Sequence, residues 1–205
     1  RIFSSIYDKT FFFSEIIKFP HHGEFLVAIS SCSNFLTDII VRYPQFLYQV
    51  FDQDYLSKKF DLVYLMKQVE DGAGHFKSLN SKLNFLRQIK QRFILKIGLA
   101  DILGIDELIS TTEQLSSLAK SLNSKLFEIC YQEVLNKYVI TDLHHKYCLC
   151  SLGKLGGNEL NYSSDVDLVL FYDFNENISG SSKDYHELLS EAAQLFIKSS
   201  TEISD

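Results

Sequence analysis

The sequence predicts an α+β chain, with a mainly helical part over residues 1–140 followed by a smaller α+β part that begins at 141 and runs to 205. Three observations carry this prediction. Apolar residues recur every three or four positions from Leu79 to Ala100 and again from Leu115 to Val134, the period of helices that bury one face. Two short apolar runs, 146–152 and 166–172, are rich in residues that pack on a pleated surface and read as neighbouring strands. Between those runs lies a segment that gathers glycines, a lysine, hydroxyls and carboxylates at spacings a reaction can use.

The helical part begins with aromatic and apolar residues from Ile2 to Phe19, an amphipathic helix expected to run up to Pro20. His21 and His22 then fall at a break before Gly23 and read as solvated loop residues rather than ligands. Glu24 to Ser31 is a short apolar segment. Ser33 can cap a helix with Phe35, Leu36, Ile39 and Ile40 on one side. Pro44 suits the first turn of another, with Phe46, Leu47, Val50 and Phe51 inward. A polar connection is expected over 52–62, then a helix from Phe60 to Val69 that Asp71-Gly72-Ala73-Gly74 stops within one domain.

On the long helix from Leu79, the residues Arg87, Lys90, Gln91, Arg92 and Lys96 read as a hydrated polar side, and Gly104 ends it. Ser110-Thr111-Thr112-Glu113 has capping-box spacing ahead of the next long helix, which runs toward Tyr138. His144 and His145 read as inert loop residues before the first strand. After the second strand comes a polar loop over 173–182, and Ser182 or Asp184 can cap a final helix carrying Leu188, Leu189, Ala192, Leu195, Phe196 and Ile197.

Composition narrows the function classes. The chain has 205 residues, enough for a full core, and a net charge of -6 that disfavours a nucleic-acid backbone as partner. Cys32, Cys130, Cys148 and Cys150 are too few and too irregularly placed for a secreted disulfide framework. Cys148 and Cys150 alternate on one apolar run, so both face one side, and simple burial is the reading there rather than a metal. No window is apolar for long enough to span a bilayer, and no signal-peptide pattern opens the chain; the cytoplasm is the expected location.

The segment Gly153-Lys154-Leu155-Gly156-Gly157-Asn158-Glu159-Leu160-Asn161-Tyr162-Ser163-Ser164-Asp165-Val166-Asp167-Leu168 is the one the chain is organised around. Gly156 and Gly157 lack a Cβ and tolerate positive φ, which lets the backbone turn tightly with N–H groups free for phosphate oxygens. Asp165 and Asp167 stand two apart at the head of the second run, so a strand projects both to one side while Val166 points into the core. Two carboxylates beside a phosphate-binding turn suit Mg²⁺, which takes a few carboxylates together with phosphate oxygens.

Gly-Gly followed by Asp-x-Asp on a strand resembles the signature of the DNA polymerase β-like nucleotidyltransferases. The full string 153–168 is similar to the glutamine synthetase adenylyltransferase family, and looser likeness extends to 33–47, 86–104 and 115–119. The resemblance implies an incomplete polymerase β-like fold over 141–205. The third metal carboxylate is then expected on a strand beyond residue 205, since Asp205 comes too early to serve.

The same resemblance implies two-metal chemistry, with Asp165 and Asp167 holding Mg²⁺ or Mn²⁺ against an α-phosphate. Gly156 and Gly157 would orient phosphate oxygens, Ser163 and Ser164 would add hydroxyl donors, and Lys154 would add charge or point into water. The substrates implied are ADP or ATP with phosphate. Glutamine synthetase is the implied protein substrate, and the nitrogen-signalling PII protein an implied partner. Family enzymes join an AMP-transferring and an AMP-removing unit; the Glu-Leu-Asn-Tyr-Ser-Ser-Asp wording and a start near a chain terminus point to the removing half. The transferring half, a small-substrate nucleotidyltransferase and a non-catalytic interaction module are the alternatives.

Overall fold

A computed structural model describes residues 1–141, 146–173 and 183–204. His144, His145, Ser182, Asp205 and most of the polar loop expected before the final helix lie outside the described residues. The described chain is mainly helical with one small antiparallel sheet, the α+β class expected. It packs as two compact units, and these do not follow chain order. The first gathers Arg1–Phe60 and Lys90–Leu115; the second gathers Asp61–Ile89 and the residues from Ser116 onward.

The first unit opens with α1 (Ile2–Ser5), α2 (Lys9–Lys18), α3 (Pro20–Cys32) and α4 (Asn34–Arg42). The single helix expected over 2–19 is broken, because the Asp8 carboxylate accepts the Phe11 N–H at 2.9 Å and starts α2 afresh. Pro20 does not end structure but supplies the first turn of α3, which runs through Gly23. His22 is therefore no solvated loop residue: it is 7% exposed and stacks on Phe51 with ring centroids 4.0 Å apart. Burial, with His21 beside it, pushes its pKa below the usual histidine value.

Ser33 caps α4 as expected, accepting the Leu36 N–H at 3.2 Å. Leu36, Ile39 and Ile40 face inward, whereas Phe35 is exposed. A 3₁₀ turn (Pro44–Phe46) leads into α5 (Leu47–Val50), and the expected polar connection contains α6 (Gln53–Ser57), capped by Asp52. Phe46, Leu47, Val50 and Phe51 join the core of this unit.

Two long helices cross from one unit's residues into the other's: α8 (Leu79–Ile102) and α9 (Leu108–Lys137). The first half of α8 keeps a polar side, but Lys96 is fully buried and Gln91 nearly so, against the hydrated face expected there. The Lys96 ammonium lies 3.8 Å from Asp106 Oδ2 and donates at 3.3 Å to Gln114 Oε1, while Gln114 Nε2 donates at 2.8 Å to Asp106. A helix enclosed on nearly all sides has no hydrated face to give its cation. The charge is instead met by partners on the next segment. Gly104 ends α8 with φ +66°, and α9 starts at Leu108, which puts Ser110–Glu113 inside the helix rather than at its cap.

In the second unit, α7 (Leu62–Ala73) runs through Asp71 and Gly72 to end at Gly74. Gly72 is there for closeness: a Cβ on it would stand 1.9 Å from the Phe85 ring. The sheet pairs β1 (Tyr147–Ser151) with β2 (Leu168–Tyr172) antiparallel, Tyr147 opposite Tyr172 and Ser151 opposite Leu168. α11 (Tyr185–Ser204) completes the unit, with Asp184 Oδ1 accepting the Glu187 N–H at 2.8 Å and Glu187 reaching back to the Asp184 N–H at 3.1 Å. One sheet face packs Tyr147, Leu149, Leu170 and Tyr172 against Tyr131 and Leu135 of α9 and Leu188 and Leu189 of α11. The other face carries Cys148, Cys150, Val169 and Phe171; Cys148 is exposed and Phe171 is 59% exposed, so burial does not explain the two cysteines.

Candidate functional site

The glycine-rich segment leaves β1 and folds at once into a single helical turn, α10 (Gly153–Gly156). Positive φ is required at Gly153 (+55°) and Asn158 (+61°), not at Gly156 or Gly157. Gly153 has a second reason to lack a side chain, since a Cβ there would stand 2.8 Å from Asp167 Oδ2. Gly156 is needed because its Cβ would stand 2.7 Å from the Ser151 carbonyl, whereas Gly157 has no comparably close neighbour. The amides of Gly156 and Gly157 are engaged inside the turn, donating to Leu152 O at 2.9 Å and Gly153 O at 3.1 Å. A helical turn leaves its first amides without intrahelical acceptors, so the exposed Gly153 and Lys154 supply the N–H groups suited to an incoming oxygen. Lys154 is exposed on this turn.

Buried leucines pin the segment from below: Leu155 is fully buried and Leu160 is 7% exposed. The Leu160 N–H donates at 3.0 Å to Oγ of Ser116, itself fully buried on α9, and Lys120 of α9 donates to Asn158 Oδ1 at 2.6 Å. The exposed residues between these pegs are then fixed in place without losing access to solvent.

Ser163 and Ser164 come together around Asn161. Its Oδ1 accepts from the Ser163 N–H at 3.1 Å, from Ser163 Oγ at 3.3 Å and from Ser164 Oγ at 2.7 Å. Ser164 Oγ in turn accepts the Asn161 N–H at 3.1 Å. Asn161 organises this bend as a side-chain turn. Asn followed two and three residues later by Ser is the sequence signal for such a turn.

Asp165 and Asp167 follow, both exposed, ahead of the first residue of β2. Pairing nonetheless continues one step past the strand, where the Leu152 N–H donates to Asp167 O at 2.9 Å. Val166 is 40% exposed and does not point into the core as expected, because the chain at 165–167 has not yet entered the regular strand. The structure thus ties Asp167 to the start of α10 through its backbone, and its carboxylate stands where a side chain on Gly153 would fall.

Taken together, the segment is an exposed turn with acidic side chains, fixed from below by leucine burial and hydrogen bonds to α9. A model of the family described as glutamate-ammonia ligase adenylyltransferase matches residues 23–198. The chain belongs to the glutamate-ammonia ligase adenylyltransferase family. Among curated relatives named bifunctional glutamine synthetase adenylyltransferase/adenylyl-removing enzyme, that of Idiomarina loihiensis is 30% identical over 186 residues, 85% of this chain and 19% of the relative. That of Shewanella oneidensis is 25% identical over 88% of this chain and 20% of the relative, and that of Pasteurella multocida 26% over 86% and 18%. The chain therefore spans about a fifth of the length of these glutamate-ammonia ligase adenylyltransferase relatives.

The donor set fits a hard divalent cation. Asp165 and Asp167 offer carboxylate oxygens to solvent, and among the described residues no group of three His, Cys, Asp or Glu side chains stands ready to hold a metal. Such a pair suits Mg²⁺ or Mn²⁺ held jointly with phosphate oxygens rather than a closed protein cage. Among the described residues no helix is long and apolar enough to cross a membrane.

Proposed function

We propose that this chain supplies the carboxylate and phosphate-facing part of a catalytic unit that removes AMP from a tyrosine of glutamine synthetase, using phosphate and releasing ADP. The observation that carries the reading is the placement of Asp167, two residues after the exposed Asp165, beside α10, with the Asp167 carboxylate against Gly153 and its carbonyl held by Leu152. Asp165 and Asp167 would hold Mg²⁺ or Mn²⁺, which when bound neutralises the charge that builds on a transferring phosphoryl group.

The first-turn amides of α10 orient phosphate oxygens, in a role first sought from Gly156 and Gly157, and Lys154 adds positive charge nearby. Ser163 and Ser164, whose hydroxyls both donate to Asn161 Oδ1, order the bend that leads into Asp165 and Asp167. A third carboxylate from further along the protein completes the site. The Glu159-Leu160-Asn161-Tyr162-Ser163-Ser164-Asp165 wording supports the removing half over the ATP-dependent transferring half. Signals of nitrogen status, carried by a PII protein, belong to the same reading.

The test uses the longer protein that carries this chain, assayed against adenylylated glutamine synthetase with phosphate and against the unmodified protein with ATP. Asp165→Asn and Asp167→Asn are each expected to abolish release of AMP as ADP, to spare AMP transfer, and to leave the far-ultraviolet circular dichroism unchanged. Loss of transfer with removal intact assigns the chain to the other half. Full activity in both variants takes the carboxylates out of the mechanism. The 205 residues alone are expected to bind metal and nucleotide weakly and to turn over poorly or not at all.

A further inference from the structure

We propose that Cys148 and Cys150 form a two-thiolate site for a soft, thiophilic metal ion on the bare face of the sheet. Their sulfurs lie 3.6 Å apart. Two thiolates bound at about 2.3 Å to one tetrahedral zinc lie roughly 3.8 Å apart, so the pair already stands near the spacing of two corners of such a site. Neither cysteine is in a disulfide; Cys148 is exposed, and Cys150 is only partly covered.

The strand geometry explains why a metal suits this pair better than a disulfide. Residues two apart on a strand have their Cα atoms separated by about 6.7 Å, two rises of roughly 3.3–3.4 Å. A disulfide brings Cβ atoms to about 3.5–4.5 Å and sulfurs to about 2.05 Å, which β1 reaches only by buckling. Buckling would break its pairing with β2, where Cys148 stands opposite Phe171 and Cys150 opposite Val169. A bridging ion closes the gap with the strand left straight. Each thiol gives its proton to solvent as its sulfur bonds the ion, and no electrons change hands.

The site is open rather than structural. Among the described residues no third His, Cys, Asp or Glu joins the pair to make a cluster, so water or a further ligand fills the remaining positions. Asp167 directly precedes β2, and its carbonyl accepts the N–H of Leu152, the residue after β1, so sulfur and carboxylate donors stand on neighbouring stretches of the same two segments. Ligand softness separates them: Mg²⁺ selects the carboxylates, and a thiophilic ion selects the sulfurs. This inference stands apart from the proposed AMP chemistry, and its test does not depend on activity.

The experiment titrates the reduced protein with Cd²⁺ in a large excess of Mg²⁺, following the sulfur-to-cadmium absorption in the ultraviolet. The protein is also treated with phenylarsine oxide, digested, and its peptides weighed. One cadmium should bind per chain, and one arsenical should map to the peptide holding residues 148–150, joined through two sulfurs with loss of one water. Cys148→Ser and Cys150→Ser should each weaken cadmium binding at least tenfold and abolish the arsenical adduct, with circular dichroism unchanged; Cys32→Ser should alter neither. Undiminished cadmium affinity in either strand variant overturns the proposal, as does displacement of the band by Mg²⁺. A 148–150 disulfide that forms readily in protein whose reduced form shows no cadmium band also overturns it.

Discussion

The Lys96 cluster in one unit and the Asp165–Asp167 segment in the other both set charged side chains on a packed framework, and they use them in opposite ways. Lys96 and Asp106 have side chains 0% and 1% exposed, joined through Gln114, with the Phe60 ring 5.0 Å from the ammonium. Gln114 Oε1 also accepts the Phe60 N–H at 3.3 Å, so one amide serves a cation and a backbone. Around Asp165 and Asp167 it is the backbone and the flanking leucines that are held, while the carboxylates face water. Charges answered by protein partners keep elements together. Charges on a fixed backbone with their oxygens in solvent are available to a ligand.

That contrast is broken most severely by Lys96→Ala. It leaves Asp106 buried without its cation and is expected to cost about 3–5 kcal/mol of stability in urea unfolding. A loss below about 1 kcal/mol would mean that the cluster does not hold its unit together. Next in size is Gly153→Ala, which forces a side chain into a left-handed conformation at roughly 1–3 kcal/mol and pushes against the Asp167 carboxylate. Calorimetric titration with Mn²⁺ and nucleotide should show weaker binding in this variant than in Gly157→Ala, whose added methyl meets nothing closer than 3.6 Å. Equal binding in the two would separate Gly153 from the carboxylate.

The smallest effect lies at Glu191, an accessible acid serving a structural role. Lys137 above all, then Tyr138 and Lys183, pull its pKa from 4.5 down to about 2. A lowered carboxyl pKa contributes stability that is full above about 4.5 and is lost as the pH falls toward 2. The gap in unfolding temperature between the wild type and Glu191→Gln should therefore be greatest near neutrality and close over that window. A gap that stays constant down to pH 2 would remove the charge from the account.

The sequence carried much of this. Periodicity located α8, α9 and α11, and capping chemistry located Ser33 and Asp184, because those signals depend on local geometry. Lys96 and Gln91 escape the hydrated face that residue type predicts because their half of α8 has no wet side, and His22 is buried because Pro20 starts a helix where a loop is expected. At the site, residue types marked the right segment, but the reasons for its glycines were not legible. Gly153 answers to a carboxylate fourteen residues on, and Gly156 to a carbonyl five residues back, both distances that only folding reveals. Asn158 took the left-handed turn assigned to a glycine, as asparagine can.

The bare sheet has a practical corollary. Among the described residues it ends at two strands, so β1 and β2 each offer a row of backbone groups along an outer edge. Molecules concentrated in a tube can add edge to edge there, growing ladders that scatter light and finally precipitate. A lysine grafted onto either rim, or cold dilute storage, would blunt that growth.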